Sequence, residues 1–171
     1  MFNKGLSLDQ APPISIPFRF FMTAPIFGIL LGLVFFFSPF ETISNQYSSL
    51  AIGAVHLFTL GILAMIIFGA MQQMMPVLAG VVIPKPNVFA NIVHTSLTLG
   101  TLAFSAYFIF NIKIALHIAV LLLSISFLTF FVYSIKLLFK VEFLTSTVKA
   151  MKLFALCGLI TVLLGAYIAS G

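Results

Sequence analysis

Long apolar stretches alternate with short polar breaks along this chain. About 20 mostly apolar residues suffice to cross a bilayer as a helix rising 1.5 Å per residue. Five stretches meet that length: residues 20–37, 49–75, 88–110, 114–135 and 153–169. Ser38-Pro39 closes the first, Pro76 and the Gly80 to Asn87 turn close the second, and Asn111-Ile112-Lys113 closes the third. Proline punctuates these joins because it lacks an N–H and blocks the helix behind it. The length of the second stretch predicts tilt, or an end that leaves the bilayer. The pattern predicts an all-α, polytopic membrane helix bundle of about five transmembrane helices. A cytoplasmic arm over 1–19 would lead into a single transmembrane domain over 20–171.

Composition strengthens that reading. The chain is 62% hydrophobic and 6% charged, whereas a soluble domain carries about 25% charged residues to cover its exterior. Lipid must therefore solvate most of the surface. Charge then sets orientation. With the N-terminus in the cytoplasm, Lys4, Arg19, Lys85, Lys136, Lys140, Lys149 and Lys152 fall inside, and only Lys113 falls outside. This asymmetry follows the positive-inside rule and requires an odd number of spans. It gives the net charge of +5 a topological meaning, so no nucleic-acid partner is expected. Cys157 is the only cysteine, which excludes an intramolecular disulfide and a cysteine metal cluster.

The ends and linkers carry further expectations. Residues 1–17, with Pro12, Pro13 and Pro17, read as an extended cytoplasmic arm. They lack the apolar core of a cleaved secretory signal. Residues 136–152 read as an amphipathic inner-surface linker whose lysines meet lipid headgroups, or as an ordinary positively charged loop. The expected location is a bacterial inner membrane. A short echo, Val55-His56…Thr59-Leu60-Gly61 against Val93-His94…Thr98-Leu99-Gly100, has one extra residue in its second copy. That residue would rotate the shared Thr-Leu-Gly by 100° on a helix, so the echo does not establish a duplication.

Few residues offer chemistry. Asp9, Glu41 and Glu142 all lie outside the spans, which argues against a proton relay of buried carboxylates. Neither G-x-S-x-G nor HExxH occurs, and no paired carboxylates are placed for acid–base work. Three histidines remain. An ionisable side chain within a span is a functional candidate, and imidazole is a common ligand of haem iron and divalent metals. At 1.5 Å per residue, His56 lies about 10 Å and His117 about 5 Å below the outer boundary, while His94 lies about 10 Å from the inner one. His56 and His117 are thus the better matched pair within one chain, although a neighbouring subunit offers another partner. Each histidine also has a structural reading. His117 is able to snorkel to water beside Lys113, and His94 to bond a neighbouring helix. On an α-helix, Leu60, Leu63, Ile67 and Met74 share the face of His56. Gly53 and Gly61 admit either a flat macrocycle or a neighbouring helix. Met71, Met74 and Met75 are soft ligands or gap-fillers, and Gln72 and Gln73 suit bonds across helices.

The stretch from His56 to Pro76 resembles the second transmembrane helix of the haem–copper oxidase superfamily, and most closely its nitric-oxide reductase branch and NnrS-like membrane proteins. The likeness covers residues 50–80: a histidine near the outer end of a helix, then an apolar run with Gly61, Gly69, Met65, Met71, Met74 and Met75, then Pro76. It implies that His56 ligates a haem iron near the outer face. It also has limits. Members of that superfamily use many more helices and further histidines around copper, including an adjacent pair, and this chain has no His-His pair. A complete oxygen- or nitric-oxide-reducing centre in one chain is therefore not expected.

The resulting expectation is a small membrane protein binding haem b through His56, with His117 or His94 as second ligand. Its role would be electron transfer or the handling of haem or a diatomic gas. It would form a homo-oligomer in the bilayer and serve a respiratory or redox partner. The alternative is a non-enzymatic assembly or transport subunit, including a metal permease, with no haem.

Overall fold

The computed structural model describes residues 8–170, with side chains from 9 to 168. These residues form helices and turns only. Five long helices are apolar and long enough to cross a membrane: Ser15–Phe37, Ser49–Ala79, Pro86–Phe110, Lys113–Leu138 and Ser146–Ser170. They are called the first to fifth helices below. A short helix, Phe40–Ser44, lies between the first two. The chain is an integral membrane helix bundle.

Helix ends differ from the sequence expectation where proline was taken as a boundary. The first helix begins at Ser15, so the arm does not stay extended through Pro17. Pro17 stands in the first turn, where backbone N–H groups have no intrahelical partner to lose. Pro76 likewise does not end the second helix, which continues to Ala79 and closes on Gly80 in the left-handed conformation (φ 66°). Glycine adopts that conformation at a helix C-terminus without a Cβ penalty. Pro86 occupies the first turn of the third helix, a favoured site for it. At the start of the second helix the Ser48 hydroxyl accepts from the Ala51 N–H at 3.1 Å, a side-chain N-cap. The expected linker over 136–152 also resolves differently. The fourth helix runs to Leu138 and the fifth starts at Ser146, leaving a short turn between two helix ends. Across that turn Lys152 Nζ lies 5.0 Å from the Phe139 ring centroid, a cation–π contact.

The first helix packs against the second, the second against the third, and the third against the fourth along most of its length; the fifth leans on the fourth. Small residues permit the closest approaches. A Cβ on Gly61 would collide with the Phe27 ring, and one on Gly69 would stand 2.8 Å from Phe20 Cβ. A Cβ on Gly100 would stand 2.9 Å from Leu123 Cγ. Lipid tails compete equally with apolar side chains, so such backbone proximity carries much of helix association in a bilayer. The core is aromatic. Phe68 stacks on Phe130 at 3.7 Å between centroids and meets the edges of Phe127 and Phe131.

With five spans the charge asymmetry would place the Lys113 turn outside and the Lys85 turn inside. On a Cys157→Ser background, Lys113→Cys should react with a membrane-impermeant maleimide in intact cells, and Lys85→Cys only after permeabilisation. The opposite labelling would invert the topology.

Candidate functional site

The second helix changes its winding directly after His56. It is α-helical over Ser49–His56, π-helical over Leu57–Ala64 and α-helical again from Met65. A π-helix bonds i to i+5 and turns less per residue than an α-helix; such segments often mark functional sites. The slower turn re-aims everything that follows. Leu60, Leu63 and Ile67 line the same space as His56, as expected, and Ala64 and Phe68 join them.

That face lines a cavity of about 470 Å³ between the second, fourth and fifth helices. His56 and Phe104 border it, and Phe68, Phe127, Phe131 and Phe154 contribute its aromatic wall. The fourth helix adds Val120, Leu123 and Ser124, and the fifth adds Gly158, Thr161 and Gly165. A Cβ on Gly165 would meet nothing within 4 Å. The volume falls within the roughly 300–1,000 Å³ of small-molecule and cofactor sites.

His56 is held in one orientation and one tautomer. Its Nδ1 lies 2.8 Å from the Ile52 carbonyl oxygen, which only accepts, so Nδ1 carries the proton and Nε2 the lone pair. The ring lies parallel to Phe108 (5° between planes, centroids 6.1 Å apart) and tilts against Phe104 at 4.7 Å. Nε2 has no hydrogen-bond partner among the described residues. Metal-bound histidines characteristically use the other ring N–H in this way, which fixes the tautomer and raises ligand basicity.

The other two histidines lie elsewhere. His94, on the third helix, faces the first: its Nε2 is 2.8 Å from Thr23 Oγ1. The Thr23 hydroxyl donates its one proton to the Arg19 carbonyl, so His94 is the donor in that contact. Phe20 meets the His94 ring edge-on at 5.0 Å, and Arg19 bonds Asn91 one turn earlier on the third helix. His94 thus serves as an interhelical bond. His117 is exposed and lies one turn outward of Val120, where the lining of the fourth helix begins. The cavity therefore brings neither His117 nor His94 to His56.

The remaining candidates have structural settings. Gly53 and Gly61 are pressed against the third and first helices, so both serve helix packing. Met71 and Met75 are buried in the core, whereas Met74 is 39% exposed. Gln72 bonds back to the Phe68 carbonyl within its own helix, and Gln73 is exposed. Cys157 is exposed. Among the described residues no group of three His, Cys, Asp or Glu side chains could hold a metal ion. No family model, curated protein or solved structure matches the chain.

Sequence reasoning missed Ser124, Thr161 and Gly165. They come from the fourth and fifth helices and meet His56 only through the bundle's arrangement. Gly165, at a span position where packing glycines are common, carried the only local signal.

Proposed function

We propose that the chain is a membrane haem protein in which His56 would ligate the iron of a b-type haem and the cavity between the second, fourth and fifth helices would hold it. The observation that carries this reading is the fixed tautomer of His56, with its unpartnered Nε2 beside an apolar space. The residues that would hold the group are one imidazole for iron and an aromatic and aliphatic wall for a flat macrocycle, with open space over Gly165; the lining carries no basic side chain to meet its propionates. The resemblance of residues 50–80 to the second helix of the haem–copper oxidase superfamily supports the same assignment. When bound, haem would supply an iron able to exchange an electron or hold a small ligand. The protein's share is to set the imidazole's tautomer, exclude water and fix the ring plane.

A homo-oligomer and a redox partner belong to the same reading. A bacterial inner membrane is the proposed location.

The deciding measurement is the visible spectrum of protein purified in mild detergent from haem-supplemented cells. A Soret band with near-stoichiometric haem is expected. A colourless, folded protein would overturn the reading in favour of an assembly or transport subunit, and bound metal without haem would favour a permease. His94→Ala and His117→Ala should keep the band, because neither side chain reaches the cavity.

A further inference from the structure

Arg19 is the chain's only arginine, and two helices hold it in place. Its Nε donates to the Ser15 carbonyl at 3.1 Å on the first helix, and its Nη1 donates to the Asn91 side-chain oxygen on the third. A guanidinium only donates, so Asn91 must turn its oxygen to Arg19 and keep its amide N–H groups for another acceptor. One turn deeper, the contact between Thr23 and His94 joins the same two helices. Among the described residues no carboxylate pairs with Arg19. Two of its five N–H donors are used; the others, and the amide of Asn91, have no acceptor among the described residues.

Position narrows what such a cation meets. Arg19 is the fifth residue of the first helix and Asn91 the sixth of the third. Both therefore lie about 6–8 Å along their helices from the same end of the bundle, the end that carries Lys85. Arg19 is half-buried and Asn91 exposed. Phe18, Met22, Val88 and Ile92 beside them are exposed too, so lipid covers these faces. A lone cation at a membrane boundary is costly unless an anion reaches it, and the planar fork of a guanidinium matches two phosphate oxygens at once. We propose that Arg19 and Asn91 form a seat for the phosphate of an anionic phospholipid, between the first and third helices. The seat is separate from the cavity beside His56 and does not depend on haem. Its single positive charge matches a phosphodiester with an uncharged headgroup, whereas phosphatidylcholine brings a cation of its own. The charge asymmetry would put this end on the cytoplasmic side, where anionic lipids attract basic residues.

The test uses the full chain in mild detergent, titrated with phosphatidylglycerol or phosphatidylcholine and read by native mass spectrometry. One phosphatidylglycerol per chain is expected, bound more tightly than phosphatidylcholine. Arg19→Gln should weaken it roughly 10-fold or more, the effect of losing a hydrogen bond to a charged group. Glutamine keeps an amide donor for Asn91, so the two helices stay joined. Arg19→Lys retains the charge without the fork and should also weaken binding. Lys85→Gln removes a cation from the same end and should leave binding unchanged. Equal losses in Arg19→Gln and Lys85→Gln, or full affinity in Arg19→Lys, would overturn the seat in favour of diffuse attraction. Equal binding of the two lipids would overturn the match to a net negative headgroup. Displacement of phosphatidylglycerol by millimolar inorganic phosphate would overturn the lipid assignment and give the seat to a soluble anion.

Discussion

His56→Ala should abolish haem retention while the protein still folds. The side chain's one hydrogen bond runs to its own helix at Ile52, and its ring contacts are with Phe104 and Phe108 at the cavity edge. Loss of a single neutral bond costs about 0.5–1.5 kcal/mol, too little to dismantle a five-helix bundle. The effect on the iron is of a different order. Changing an outer partner of a metal ligand typically lowers affinity by about 10- to 100-fold; removing the ligand itself should exceed that, and no other imidazole lines the cavity. The readout is the haem-to-protein ratio from the Soret band, beside the elution profile in detergent. The expected result is a monodisperse protein with the Soret band lost. Imidazole added during haem loading should restore part of the band, since the truncated side chain leaves room for it. A His56→Ala protein that retains its full band would remove His56 as ligand and direct attention to His94.

Which features the sequence disclosed depends on what each one needed. Five spans are legible because the few charges fall between them or toward their ends and hydropathy is summed over whole helices. Helix ends are not, because proline is forbidden only where a backbone N–H must bond. Pro17 sits in a first turn, and Pro76 stands close enough to Gly80 that its helix ends soon afterwards anyway. The candidate site was half legible. The approximate position of His56 along its helix follows from counting residues, but the composition of its face does not. The π segment over Leu57–Ala64 lies in a run that is apolar on all sides, so no periodicity records the change in winding. His117 is not among the residues that line the cavity with His56, for a related reason. Depth is a property of one helix, whereas proximity is set by how neighbouring helices rotate. His117 lies one turn too far outward on the right stripe of the fourth helix. Gly61 was equally ambiguous, since a glycine that admits a macrocycle and one that admits a neighbouring helix look identical in sequence; Phe27 decides it.

Gly61→Ala should be among the most damaging single changes in the bundle and should reach the cavity from the opposite side of the helix. The added methyl group would overlap Cβ, Cγ and Cδ1 of Phe27, and Phe27 is 2% exposed with no space to swing into. Overpacking of this kind costs about 1–3 kcal/mol and at times more. In a bilayer the helix pair has no hydrophobic gain with which to offset it, because lipid tails solvate the separated faces as well as the helices do each other. Gly61 also lies within the π segment, so separating the first and second helices should disturb the turn that holds Leu60, Leu63 and Phe68 on the face of His56. Two readouts are therefore coupled: the thermal midpoint in detergent should fall, and haem retention should fall with it. Gly32→Ala is the control, since its methyl group meets open space away from the cavity and should not lower stability or haem retention. The cause can be isolated with a double mutant. Phe27→Ala alone opens a void and destabilises, but combined with Gly61→Ala it removes the overlap. The pair should lose less than the sum of the two single changes, by about 0.5–3 kcal/mol of coupling. Additive losses would show that Gly61 is required for the winding of its own helix rather than for the contact with Phe27.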